Sequence, residues 1–133
     1  MGPVAADTHA ALWYLLEPSQ LSAAADQALT QADQPGAGIF LSAITVVEVI
    51  YLVEKGKLPQ ASLDALVATL NDPAEAMHLL PVEFSITQAI HHIPRALVPD
   101  MPDRIIAATA WAHQLPLVTC DPDIRAAPLP TIW

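Results

Sequence analysis

Four carboxylates in this chain are placed where they could do chemistry together: Asp7, Glu48, Asp103 and Asp121. Asp7 closes the short apolar run Val4–Ala6, and Asp121 follows the apolar run 115–119. Glu48 interrupts the otherwise apolar stretch 44–53, where an unpaired carboxylate is costly to bury. Asp103 stands just after a proline-rich segment, at the start of a helical pattern. Carboxylates held close together repel and raise one another's pKa, so such a cluster persists only around something cationic. Hard divalent cations such as Mg²⁺ and Mn²⁺ prefer oxygen ligands. One or two of them in such a cluster can activate water and stabilise the leaving oxygen of a phosphodiester. Three of the four residues also have plainer readings. Asp7 before Thr8 suits a helix N-cap, Asp103 suits the positive end of a helix dipole, and Asp121 in Cys-Asp-Pro-Asp suits a turn. Glu48 has no equally ready alternative.

For the four to meet, strand ends and helix starts must share one edge of the fold. Short apolar runs alternate with longer helical patterns along the chain, which predicts an α/β fold with a parallel sheet. Strands are expected at Val4–Ala6, 39–41, 78–84 and 115–119, with a short last one at 131–133. Pro81 points to an edge or strand-end position for the third. Helices are expected over 8–16, 19–32, 43–55, 59–70, 85–92 and 103–113, with Ser42 and Ser85 as N-caps. Gln34-Pro35-Gly36, Gly56 and Asn71-Asp72-Pro73 act as breakers, and Pro94, Pro99 and Pro102 mark a loop. Open parallel sheets bind ligands beyond the carboxyl ends of their strands, and all four acids are expected there.

The 133 residues fit one domain spanning 1–133, and 53% hydrophobic residues supply an ample core. No apolar run approaches the roughly 18 residues of a membrane span. The opening segment lacks the basic flank of a signal peptide, so a cytoplasmic protein is expected. The single cysteine, Cys120, excludes an internal disulfide and a multi-cysteine zinc site. Five Lys and Arg against fourteen Asp and Glu give a net charge of −9. On composition alone this argues against a nucleic-acid binder, since cationic side chains displace the counterions around phosphate. A carboxylate-built metal site accounts for part of the acidity, and Lys55, Lys57, Arg95, Arg104 and Arg125 could gather on one rim.

The acids also sit inside four ordered motifs. Ala6-Asp7-Thr8-His9-Ala10-Ala11-Leu12-Trp13 resembles the opening motif of PIN domains, and Leu41-Ser42-Ala43-Ile44-Thr45-Val46-Val47-Glu48 resembles their second. Pro102-Asp103-Arg104-Ile105-Ile106-Ala107-Ala108-Thr109-Ala110 resembles the third, and Leu117-Val118-Thr119-Cys120-Asp121 the fourth. The resemblance implies a three-layer α/β/α domain with a central, mostly parallel sheet. It implies a Mg²⁺- or Mn²⁺-dependent endoribonuclease that hydrolyses RNA, with Asp7, Glu48, Asp103 and Asp121 as catalytic and metal-ligating residues and Asp123 able to share the role of Asp121. The size resembles VapC-type toxins, which implies a homodimer neutralised by a small antitoxin. The alternatives are a PIN-type RNA-processing nuclease outside a toxin pair and a non-catalytic PIN-like interaction domain. A receiver-like signalling module needs paired acids after strand one and a late lysine. Here a single Asp7 ends strand one and no lysine follows Lys57.

Neighbouring residues have simpler expectations. Hydroxyls at Thr8, Ser42 and Thr45 could hold carboxylates, although capping explains Ser42 equally well. His9 lies near the acids, while the other histidines are scattered without ligand spacing. Cys120 is expected to be partly buried. Trp13, Trp111 and Trp133 are expected to serve core or dimer packing rather than base stacking.

Overall fold

A computed structural model describes residues 2–133. The elements run β1 (Val4–Ala6), α1 (Thr8–Leu16), α2 (Ala23–Ala32), β2 (Ile39–Ser42), α3 (Ala43–Glu54), α4 (Gln60–Asn71) and β3 (Met77–Leu80). Then follow α5 (Phe84–Ala89), α6 (Met101–Ala112), β4 (Leu117–Val118), α7 (Pro122–Arg125) and β5 (Thr131–Ile132). The five strands form one sheet in the order β3-β2-β1-β4-β5, and every pairing is parallel. The chain winds outward from β1 through β2 to β3, then returns to the far side of β1 to lay down β4 and β5. That reversal opens a crevice beyond the carboxyl ends of β1 and β4, where ligands bind in folds of this kind.

The layers follow from strand alternation, because successive side chains point to opposite faces. Val4 and Ala6 of β1, with Val118 of β4, join a core shared with Ala10, Leu29, Val49 and Leu66 of α1 to α4. Ala5 and Leu117 point the other way, into a second core with Ile106, Ala107, Ala108 and Ala110 of α6 and Ile124 of α7. Helices therefore cover both faces of the sheet. The small residues of β1 and α6 let those helices approach the sheet closely. No helix among the described residues is long and apolar enough to cross a membrane.

Helix starts are fixed by side-chain caps that satisfy orphan backbone N–H groups. Asp7 accepts from the Ala10 N–H at 2.9 Å, Ser22 from Ala25 at 3.1 Å, Ser42 from Ile44 at 3.3 Å and Asp100 from Asp103 at 3.2 Å. α3 stops where Gly56 takes up a left-handed φ of 74°.

Several elements differ from the sequence expectation. The span 19–32 is not one helix: Pro18–Gln20 is a 3-10 turn, Leu21 is extended, and Ser22 caps a fresh start. β3 ends at Leu80 because Pro81 has no N–H to continue the ladder. α5 starts at Phe84 with Glu83 in the cap position, so Ser85 lies inside the helix and is not its cap. Pro102 stands in the first turn of α6 rather than in the loop, a position where its missing N–H costs nothing. The four-residue α7, capped by Asp121, has too short a pattern to read from sequence. Arg104 is held in the fold rather than at a rim: its Nε donates to the Ile93 carbonyl at 2.8 Å and its Nη2 to that of Ile90 at 3.4 Å.

Candidate active site

Each of the four acids reaches the carboxyl edge of the sheet by a different local device. Asp7 follows β1 directly and caps α1, while Asp121 follows β4 and caps α7. Glu48 lies in the second turn of α3, and Asp103 in the first turn of α6. All four line one cavity of about 480 Å³. Asp123 is not among the residues lining it. The sequence left open whether Asp7 was a cap or a cavity residue, and it is both; Asp121, whose plainer reading was a turn, caps α7 and lines the cavity as well.

Hydroxyl groups hold the two most constrained carboxylates. Asp7 is 7% exposed, and its second oxygen, Oδ2, accepts from the Thr119 hydroxyl at 2.5 Å. Thr119 is fully buried, and its Oγ1 in turn accepts from the Asp121 N–H at 3.1 Å. One hydroxyl thus ties Asp7 to the loop carrying Asp121. Glu48 accepts from the Thr8 hydroxyl at 2.6 Å, and Thr45 Oγ1 lies 3.2 Å from the same hydroxyl. Ser42 serves as a cap, the plainer of its two readings.

Two residues at this edge were missed from sequence. Asp100, the N-cap of α6, joins Glu48 and Asp103 in a cluster whose carboxylate oxygens lie within 4.8 Å of one another. Its spacing of three residues before Asp103, with Pro102 between, is an N-cap signature that the prolines concealed. Thr119 was quoted inside a motif without a role. Its signal was a hydroxyl ending an otherwise apolar strand. Cys120 is exposed at the cavity wall rather than partly buried. Glu48 is half-buried, and α3 is not buried all round, since Val47, Ile50 and Tyr51 of its apolar stretch are exposed.

Burial and repulsion act together on these groups. Burial pushes the Asp7 carboxyl above its usual range, partly offset by the bonds from Thr119 and Ala10. Burial likewise raises Glu48, with the Thr8 bond opposing and Asp100 adding to the rise. Asp103 is pushed up to about 8, first by burial and then by the charges of Asp100, Asp121 and Glu48. Two unit charges about 5 Å apart repel by roughly 3 kcal/mol at an effective dielectric of about 20. A hydrogen bond to a charged group contributes about 1.5–3 kcal/mol. The threonines can therefore offset one such repulsion but not the whole set. Among the described residues no Lys or Arg lines the cavity. An all-oxygen donor set with no basic side chain beside it fits a hard divalent cation, and Asp7, Glu48, Asp103 and Asp121, with Asp100 beside them, could hold it.

The chain is similar to known proteins in sequence and in fold. The family model described as the PIN domain matches residues 4–129. Ribonuclease VapC22 of Mycobacterium tuberculosis is 32% identical over an alignment covering 100% of both chains. Among solved structures, VapBC2 from Rickettsia felis bound to a DNA fragment from their promoter is similar with a TM-score of 0.71, at 18% identity and 96% of each chain. FitAcB from Neisseria gonorrhoeae is similar with a TM-score of 0.62, at 22% identity over 96% of this chain and 95% of that one. A toxin–antitoxin complex from Klebsiella pneumoniae follows with a TM-score of 0.58, at 25% identity over 92% and 90%.

The raised carboxyls make metal-free stability depend on pH in an unusual direction. The folded chain binds the Asp103 proton up to about pH 8, whereas the unfolded chain releases it near the ordinary 3.8. Between those values the folded state holds more protons, so stability falls as pH rises and is lost through the folded value. Metal-free protein should melt at a lower temperature at pH 8 than at pH 5. Asp103→Asn should flatten that slope and melt above the parent at pH 8. A parent protein more stable at pH 8 than at pH 5 would contradict the repulsion described here.

Proposed function

The chain belongs to the PIN-domain family, and on that premise we propose that it is a divalent-metal-dependent endoribonuclease, the toxin half of a VapBC-type pair acting in the cytoplasm. The observation that carries this reading is the single cavity into which Asp7, Glu48, Asp103 and Asp121 all open, with three of them pushed toward protonation. Ribonuclease VapC22, similar along its whole length, supports an RNA substrate.

A bound Mg²⁺ or Mn²⁺ supplies Lewis-acid stabilisation of a phosphodiester and a more acidic water. The chain's own residues prepare for that chemistry. Asp7 is fixed by two donors, the Ala10 N–H and the Thr119 hydroxyl. Each carboxylate oxygen carries two lone pairs, so Asp7 retains the capacity to ligate. Asp121 is anchored by the N–H groups of Asp123 and Ile124 at 2.8 and 3.3 Å. Glu48, held by Thr8 and raised by its half-buried setting, suits acceptance of the attacking water's proton. Asp103 must give up its own proton when a cation arrives, so ion binding near neutral pH releases a proton.

The partner reading rests on a second surface. A groove of about 350 Å³ adjoins the acidic cavity and shares Glu48 and Asp100 with it. Its walls include Val47, Tyr51 and Met101, the last two 58% and 64% exposed. Apolar exposure of this kind marks an interaction surface. An antitoxin segment with an apolar helical face and an Arg reaching the carboxylates fits both features. Phe84, 78% exposed and outside that groove, favours a homodimer in which a twofold patch covers it.

Folded Asp7→Asn and Asp103→Asn variants should lose RNA hydrolysis by orders of magnitude, because one hard ligand is gone while shape is nearly kept. Chelator should silence the parent, and Mg²⁺ or Mn²⁺ should restore it. Full activity in excess chelator would refute the mechanism. Light scattering on the chain alone should return twice the mass of one chain. Titration of Mg²⁺ against the complex with a co-expressed upstream reading frame should show competition between ion and partner. A monomer at high concentration, or a metal titration unmoved by the partner, would refute the respective assignment.

A further inference from the structure

If the cavity cuts RNA, its charge is the wrong sign for holding RNA. Its walls carry carboxylates and the chain carries −9 overall, so the phosphate backbone is repelled rather than attracted. Metal aside, the protein's own hold on RNA must come from a contact that does not depend on phosphate charge. The same cavity offers one. His9 and Trp13 both line it, and they lie four residues apart on α1, where side chains share a helix face.

Their rings are 5.5 Å apart and inclined by 50°, and Trp13 in turn meets Trp133 at 5.8 Å and 53°. Tilted contacts of this kind fix neighbouring rings relative to one another. Trp133 packs against the core on the side of α1 and α2 and backs the series, whereas Trp13 is half-buried at the cavity wall and His9 is exposed. Trp111 makes the contrast plain. It is stacked on His92 at 3.9 Å and 15°, so one of its faces is already taken. Trp133 is packed against the core as expected, whereas Trp111 is exposed and Trp13 lines the cavity.

We propose that His9 and Trp13, backed by Trp133, form a stacking subsite for an unpaired base of single-stranded RNA, seated beside the acidic centre. The inference rests on the ribonuclease reading and deepens it. Aromatic faces accept any base, because every base presents a π-face. Recruitment by stacking keeps its strength in high salt, where binding through phosphates is lost.

The test is binding of a short single-stranded RNA to the intact protein, in chelator and about 0.5 M salt, where cleavage is stopped and charge repulsion is screened. The parent should bind the RNA roughly tenfold or more tighter than the same backbone without bases. Trp13→Leu should fall to the level of the base-free strand, and Trp13→Phe should keep most of the affinity. His9→Ala, a change at an exposed side chain, reads the same subsite if Trp13→Leu does not fold, and it should weaken binding severalfold. Unchanged affinity in the folded variants, or equal binding of the base-free strand, would overturn the proposal. If the parent cuts RNA in Mn²⁺ and the variants bind it as the parent does, the stacking subsite alone fails. If the parent neither binds nor cuts RNA, the ribonuclease reading fails with it.

Discussion

Mutual repulsion among carboxylates at the carboxyl edge of the sheet is the constraint around which this molecule is arranged. Glu48, Asp100 and Asp103 bring oxygens within 4.8 Å of one another, and Asp7 is almost wholly buried nearby. Each close pair, once both members are ionised, costs on the order of 3 kcal/mol at an effective dielectric of about 20. The fold meets that cost elsewhere. Residues such as Leu29, Leu41 and Leu117 are fully buried, and each contributes about 1.5–3 kcal/mol by leaving water. Two hydrophobic layers, one on each face of an all-parallel sheet, thus hold together an edge that would otherwise spring apart.

The same constraint explains why the polar residues at that edge are threonines. A lysine or arginine there would neutralise the acids permanently and leave no room for an exchangeable cation. A hydroxyl donates one hydrogen bond, fixes a rotamer and leaves the charge intact. Thr119 does this for Asp7, and its oxygen simultaneously receives the Asp121 N–H, so β1 and the β4–α7 loop are set by one buried atom. Thr8 does it for Glu48 across the gap between α1 and α3. The apolar groove beside the cavity belongs to the same arrangement, because it shares Glu48 and Asp100 with the acidic site.

Much of this was legible in the chain, for reasons that can be assigned. β1 and α1 were read to the residue because an apolar run meets a capping Asp at a strand end. Glu48 stood out because a charge inside an apolar stretch has few structural excuses. What escaped was decided by tertiary context. The start of α5 has no side-chain cap to signal it, and Ser22 divides α2 from a 3-10 turn within one uninterrupted polar and alanine-rich pattern. Asp100 was masked by the prolines on either side of it. Thr119 has a role only once β1 and β4 are paired, 112 residues apart in sequence. Arg104 was counted among the cations that could gather on one rim, yet its guanidinium is taken up by the Ile93 and Ile90 carbonyls.

The role proposed for these carboxylates is to hold a hard divalent cation. Anomalous scattering from Mn²⁺-soaked crystals tests it most directly, since the signal marks the ion itself rather than a consequence of it. A peak is expected at metal–oxygen distance, about 2.1 Å, from carboxylate oxygens of Asp7 and of Glu48 or Asp103. Strong Mn²⁺ peaks elsewhere on the molecule, with none in this cavity, would contradict it.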